Sequence, residues 1–170
     1  MRRRLLLASA LAAPLLAAPL LSGCGFALRG SGGGSLLPFQ TVHISGASGP
    51  LVVELRRNIV AGGNTAVVDD PQVAQGIVHI ISQTRDKQVL SLNSQGRVRE
   101  YTLRSHLQFL VRDNKGLVLL EPTALTIRRT LSFNESQVLA KEAEEASLYR
   151  EMQSDLVQQM MRRLAAIKLP

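Results

Sequence analysis

The sequence predicts an α+β fold, a two-layer sandwich in which two helices cover one face of a mostly antiparallel sheet of four to five strands. Three observations lead to this prediction. A long middle region alternates apolar and polar residues, as half-buried strands do. Turn sequences divide that region into hairpins. One amphipathic helical pattern lies before the region and another lies after it.

The N-terminus has the features of a secretory signal. Met1–Arg4 contains three arginines, and the apolar run Leu5–Leu21 follows it. Pro14 and Pro19 interrupt this run, and each removes a helical hydrogen-bond donor. A membrane span needs about 20 uninterrupted apolar residues. We therefore expect residues 1–23 to be a cleaved signal peptide.

Cys24, the single cysteine, marks the expected cleavage and attachment site. Leu21 stands three residues before it, with Ser22 and Gly23 between, which resembles the bacterial lipobox. Small side chains suit the peptidase at the Gly23–Cys24 bond, and a thiol is a natural nucleophile for attaching diacylglycerol. The pattern predicts lipid attachment at Cys24. The alternative is a plain signal peptide that leaves a free thiol in an oxidising compartment, and the arginines leave export by the general or the twin-arginine route open.

Cleavage removes 23 of the 170 residues and leaves 147, which suits one domain with one core. Three of the 20 basic residues precede Cys24 and all 13 acidic residues follow it, so the mature net charge is +4. A modest positive charge suits acidic lipid or phosphate. We expect no nucleic-acid partner, because the exported chain has four Phe, two Tyr and no Trp.

Residues 24–36 are predicted to be a lipidated tether. Gly30–Ser35 has the Gly/Ser composition of a flexible coil. A phosphate-binding loop is the alternative, but no strand precedes this run and no Gly-Lys-Ser/Thr ends it. Residues 37–170 then form a single folded domain.

The first part of this domain reads as strand, helix and strand. Thr41–Ser45 alternates and is rich in β-branched residues, which predicts a strand. Pro50 suits a first helical position, and Gly62–Gly63 suits the end of that helix. Thr65–Val68 predicts the next strand, which Asp69-Asp70-Pro71 ends.

Three long strand segments follow. The first begins at Ile77, is expected to bulge near Asp86–Lys87, and ends at a turn over Asn93–Gly96. Tyr101–Val111 is the clearest strand, with apolar or small residues at odd positions. After a second turn the return strand repeats this pattern, and we place Pro122 at a bulge or break in it. The opposite face is predicted to be polar with a cationic bias, and it carries Arg104, His106, Gln108, Arg112, Thr126, Arg128 and Thr130.

A final helix is predicted from Asn134, a candidate cap with Gln137 as reciprocal partner, to Ile167. Its apolar stripe is expected to pack on the sheet, and an adaptable methionine-lined groove is the alternative. The stripe comprises Tyr149, Met152, Leu156, Met160, Leu164 and Ile167.

Nothing in the sequence has the pattern of a catalytic or metal site. The histidines at 43, 79 and 106 lack metal-ligand spacing, and no Gly-x-Ser-x-Gly motif occurs. We predict no enzymatic activity, no cofactor and no metal.

The segment Gly23–Gly30 (Gly-Cys-Gly-Phe-Ala-Leu-Arg-Gly) resembles the start of the mature LPS-assembly lipoprotein family, LptE, although Ala27 replaces the histidine common there. Residues 99–103, Leu139–Lys141 and 162–164 are also similar to that family. The resemblance implies an outer-membrane lipoprotein on the periplasmic side, held by its N-terminal lipid. Gly25 agrees, because aspartate at this position is the usual inner-membrane retention signal.

The same resemblance implies that the chain plugs the LptD β-barrel in a 1:1 complex, supports its assembly, and binds lipopolysaccharide during insertion into the outer leaflet. The alternative is an adaptor lipoprotein of another periplasmic transport complex. We expect the hairpin from Ile77 to Val111 to reach beyond the helices into the partner. Arg97 and Lys141 are the candidate lipopolysaccharide-binding residues, although Lys141 could instead pair with Glu145.

Overall fold

The computed structural model describes residues 36–169, so the signal peptide, Cys24 and residues 24–35 of the tether lie outside it. Within that range two helices and five strands follow one another as β1 (Thr41–Ser45), α1 (Pro50–Ala61), β2 (Ala66–Val67), β3 (Gly76–Leu92), β4 (Val98–Arg112), β5 (Val118–Ser132) and α2 (Val138–Ala165). Two short 3₁₀ turns precede β3 and α2. Neither helix of the described range has the length and apolarity to cross a membrane.

The strands form one sheet in the order β2-β1-β3-β4-β5. β1 pairs in parallel with β2 and β3, as expected where a helix connects neighbouring strands. The longer β3, β4 and β5, of 17, 15 and 15 residues, pair antiparallel. The predicted α+β sandwich with a mostly antiparallel sheet is confirmed.

Both helices pack on the same face of this sheet. From α1, Leu51, Leu55 and Ile59 enter the core, each at most 1% exposed. From α2, Met152 and Met160 are completely buried, so the helix stripe is core rather than a methionine-lined groove. The odd-numbered side chains of β4 from 103 to 111 face the helices, in agreement with the predicted alternation.

The predicted bulge in β3 near Asp86–Lys87 is wrong. β3 passes through these residues in regular register with β4, and its irregularities lie around Ile81 and Leu90 instead. The side chains of both charged residues have partners of opposite charge. Asp86 lies opposite Arg104 on one face, and the Lys87 ammonium lies 2.6 Å from Glu145 on the other.

Two other local predictions have mixed outcomes. Pro122 lies in a bulge of the edge strand β5, as predicted, since Thr123 pairs with Phe109 but Leu120 pairs with Val111. Asn134 does act as a cap, but it caps the 3₁₀ turn Glu135–Gln137 by accepting from the Ser136 amide at 3.1 Å. The α-helix begins only at Val138.

Candidate functional site

The β3–β4 turn and the segment leading into α2 together form one end of the domain. Asn93 organises the turn, because its Oδ1 accepts hydrogen bonds from the amides of Gln95 and Arg97, each at 2.9 Å. Gly96 has φ of 76°, a left-handed conformation that favours glycine. Arg97 is therefore held by an ordered turn at the start of β4.

The chain between β5 and α2 lies beside this turn. The Phe133 amide donates to the Arg99 carbonyl at 2.8 Å and extends the β4–β5 ladder. Glu135 follows, and its carboxylate lies 3.1 Å from the Arg97 guanidinium. This ion pair joins the turn to the segment that leads into α2. Entry of the hairpin into a partner stays a prediction.

A groove of about 400 Å³ separates the turn from the 3₁₀ segment. Arg97 and Arg99 both line it, together with Phe133, whose ring packs edge-on against Tyr101 at 5.3 Å between centroids. Within residues 36–169, Arg99 has no carboxylate within 4.0 Å. The groove therefore combines an apolar ring, one paired guanidinium and one unpaired guanidinium.

Lys141 lies at the same end but does not line the groove. Its ammonium donates to Ser132 Oγ at 2.9 Å and to Glu144 at 2.8 Å, and its side chain is 16% exposed. The alternative pairing with Glu145 is wrong. Glu145 pairs instead with Lys87 of β3. The Lys87 ammonium also lies 4.2 Å from the centroid of the Tyr101 ring.

Exposed apolar side chains surround this end. Leu139, in the first turn of α2, is 82% exposed, and Leu92, beside the β3–β4 turn, is 56% exposed. Val89, Leu90 and Val138 are exposed there as well. Apolar surface beside cationic groups has the chemistry to accept an amphiphile with an anionic head group.

Sequence reasoning predicted Arg97 and Lys141, of which only Arg97 lines the groove, and it did not predict the groove residues Arg99 and Glu135. Arg99 could have been found, because residues two apart on a strand share a face, and Arg97 and Arg99 flank the strand start at that spacing. Glu135 could not, since it lies 38 residues from Arg97 in sequence.

The histidines take part in ordinary hydrogen bonds between strands. His43 contacts the Val68 carbonyl, His79 contacts Ser45, and His106 contacts Thr126, at 3.0–3.1 Å. In the range 36–169 no three His, Cys, Asp or Glu side chains come together as a metal site.

Residues 39–164, which include nearly all of the sheet and both helices, match the family described as "LptE: Lipopolysaccharide-assembly". The chain belongs to the LptE family. This confirms the resemblance seen in the sequence motifs.

Curated members of the LptE family are similar over most of their length. The LPS-assembly lipoprotein LptE of Yersinia enterocolitica is 30% identical over 151 residues, which cover 86% of this chain and 70% of the relative. The protein of the same name from Pectobacterium atrosepticum is 29% identical over 158 residues, or 89% and 82% of the two chains.

Solved lipoproteins share the fold. The solution NMR structure of lipoprotein B from Nitrosomonas europaea has a TM-score of 0.73 at 36% identity, over 84% of this chain and 91% of that one. The rare lipoprotein B of Shewanella oneidensis superposes with a TM-score of 0.65 at 23% identity, over 74% and 94%, and supports the fold alone.

Proposed function

We propose that this chain is an outer-membrane lipoprotein of lipopolysaccharide assembly, which plugs and supports the LptD β-barrel and binds lipopolysaccharide during its insertion into the outer leaflet. Membership of the LptE family over residues 39–164 is the observation that carries the proposal. The lipobox before Cys24 and the cationic, apolar-rimmed end of the sheet support its two further parts, the anchor and the lipid site.

The proposed anchor is a diacylglycerol on Cys24, exposed by cleavage after Gly23. Each buried acyl methylene contributes about 0.8 kcal/mol, so this lipid holds the domain at the membrane through residues 24–36. Mass spectrometry of the mature N-terminus is expected to find acylated Cys24, and Cys24→Ser to leave an unprocessed or lipid-free chain. An unmodified Cys24 in the mature wild type contradicts the anchor.

The proposed lipid site lies at the turn end and uses Arg97 and Lys141. Lipopolysaccharide carries phosphates and carboxylates, and hydrogen bonds to such charged groups are worth roughly 1.5–3 kcal/mol each. Both residues are already neutralised by Glu135 and Glu144, so a phosphate must exchange with a carboxylate to bind them. Arg99 has no such carboxylate among the described residues, so it can bind a phosphate of the lipid without first releasing a carboxylate.

Titration of lipopolysaccharide into the full chain in detergent tests this site. The double variant Arg97→Gln with Lys141→Gln is expected to weaken binding about tenfold and to reduce its salt dependence. Arg57→Gln, on the exposed side of α1, is the matched control. Unchanged binding with an intact circular dichroism spectrum contradicts the assignment of these residues.

The proposed barrel partner is tested by co-purification. A tagged chain is expected to retain LptD in a one-to-one ratio from solubilised outer membranes. Retention of an inner-membrane transport component instead supports the alternative, an adaptor lipoprotein of another periplasmic complex, and contradicts the plug.

A further inference from the structure

β5 forms one edge of the sheet, and no strand of residues 36–169 pairs with its outer side. The opposite edge, β2, spans only Ala66–Val67. β5 spans 15 residues, so it is the long open edge of the described sheet. Such an edge presents unpaired backbone groups that can accept another strand.

The hydrogen-bond pattern identifies the open groups. The Phe133 amide donates to the Arg99 carbonyl, so residue 133 points its backbone groups toward β4. In an antiparallel ladder this orientation alternates, and the odd residues of β5 share it. The even residues therefore direct their amides and carbonyls outward, namely Ala124, Thr126, Arg128, Thr130 and Ser132. At about 3.4 Å per residue this open ladder is roughly 30 Å long.

Only part of β5 has the features that block strand addition. Pro122 and its bulge disrupt the first third of the strand. Residues 123–132 contain no proline and stay in regular register with β4. In that section the outward carbonyl of Arg128 accepts a hydrogen bond from the Arg129 guanidinium at 3.2 Å, so this one carbonyl already has a partner within the chain. The same guanidinium also binds Asp155.

A row of charges across the open face of the sheet shows which partner the edge favours. Asp86, Arg104 and Arg128 lie directly opposite one another on β3, β4 and β5. The Arg104 Nε lies 3.7 Å from the Asp86 carboxylate, whereas Arg128 has no carboxylate within 4.0 Å among residues 36–169. Like charges directly opposite on neighbouring strands are destabilising. A carboxylate on a strand beyond β5 compensates this pair.

A second copy of the chain paired about residue 128 is a poor occupant. Two-fold antiparallel pairing centred on residue 128 places the Arg128 side chains of the two copies opposite each other. This like-charge contact adds to the Arg104–Arg128 contact already present in each copy.

We propose that the edge at residues 124–132 binds an extended acidic segment of a partner protein by β-strand addition, with a carboxylate opposite Arg128. Backbone hydrogen bonds supply the attraction, and Arg128 selects the acidic side chain. The proposed lipid site lies at the turn end, where Lys141 contacts Ser132 at the end of this edge, and Arg128 does not belong to it.

A synthetic peptide probe tests the inference. The probe is an N- and C-terminally capped strand of alternating Thr and Val with one central Glu, and it is added to the full chain in detergent. Amide exchange followed by NMR is expected to slow about tenfold or more at the even residues of the edge. Two matched peptides, one N-methylated on alternate residues and one with Lys replacing Glu, are expected to give no protection.

Three variants complete the test. Arg128→Glu is expected to reverse the preference, so that the Lys peptide binds about tenfold better than the Glu peptide. Thr130→Pro removes an outward amide without breaking the β4–β5 ladder and is expected to weaken binding of the Glu peptide. Arg57→Glu on α1 is the charge-matched control and should leave binding unchanged.

The proposal is overturned if the wild-type edge gains no protection, or if the Lys and Glu peptides bind alike. It is also overturned if protection rises with protein concentration in the absence of peptide, because a second copy then occupies the edge.

Discussion

The two ends of the long β3–β4 hairpin differ in what holds them. At the end near the start of β3, both helices cover the sheet, and Val78, Phe109 and Val111 are completely buried. At the turn end, Val89 and Leu92 are more than half exposed, and polar pairs such as Arg97–Glu135 make the contacts. One end is therefore stabilised mainly by apolar burial, and the other depends more on ion pairs at the surface. Because exposed ion pairs contribute little, the turn end can change its contacts at small cost in stability.

Truncating a buried side chain should separate the two ends most clearly. Phe109→Ala is expected to lower the free energy of unfolding by about 3–5 kcal/mol, since it leaves a cavity under both helices. Val89→Ala at the turn end is expected to cost less than about 1 kcal/mol. Urea unfolding measures both, and similar losses contradict the proposed difference.

A pair of glycines gives the next largest contrast. Gly46 and Gly96 both have positive φ, 87° and 76°. A Cβ added at Gly46 overlaps the Ile80 carbonyl oxygen, whereas one added at Gly96 meets nothing within 4 Å. Gly46→Ala is expected to cost about 3 kcal/mol and Gly96→Ala about 1 kcal/mol. Thermal unfolding that ranks them in the opposite order contradicts this assignment.

Tyr149 lies between the two ends, where α2 crosses β3. Its hydroxyl donates to the Asp86 carbonyl at 3.0 Å. Burial, with help from Glu145 and Asp86, raises the pKa of Tyr149 above its ordinary value of about 10. The folded state therefore disfavours the phenolate, and this part of the stability is full below about pH 10 and is lost as pH rises through the raised pKa.

Replacement of Tyr149 tests that pH dependence. Tyr149→Phe is expected to cost about 1 kcal/mol at pH 7, because the hydrogen bond to Asp86 is lost. Between pH 10 and 11 the variant should lose less stability than the wild type does. Parallel alkaline unfolding curves for the two proteins contradict a role for this hydroxyl.

The smallest expected change in stability lies at the turn end. Glu135→Gln removes the partner of Arg97, and this exposed pair is worth at most about 1 kcal/mol. If the groove binds lipopolysaccharide as proposed, the freed guanidinium should raise its affinity several-fold. Glu121→Gln, an exposed carboxylate on β5, is the control. Weaker binding by Glu135→Gln contradicts competition between this carboxylate and the lipid.

The sequence by itself determined the elements and their inward faces. Alternation in β4 marks Leu103, Leu107 and Phe109 as buried because a strand turns successive side chains to opposite faces. Helical spacing marks the stripe of α2 in the same local way. The family motifs and the position of Pro122 were also readable, since each depends on a few adjacent residues.

Only the tertiary structure decided which charges meet. Glu145 pairs with Lys87 and Glu144 with Lys141, although the sequence also allowed Lys141 to pair with Glu145. Arg97 meets Glu135 because β5 returns the chain to the turn. The Lys87–Glu145 and Arg97–Glu135 contacts join residues far apart in sequence, and local periodicity carries no information about which strand lies beside which. The open edge of β5 is likewise a property of strand order, which packing of the whole sheet determines.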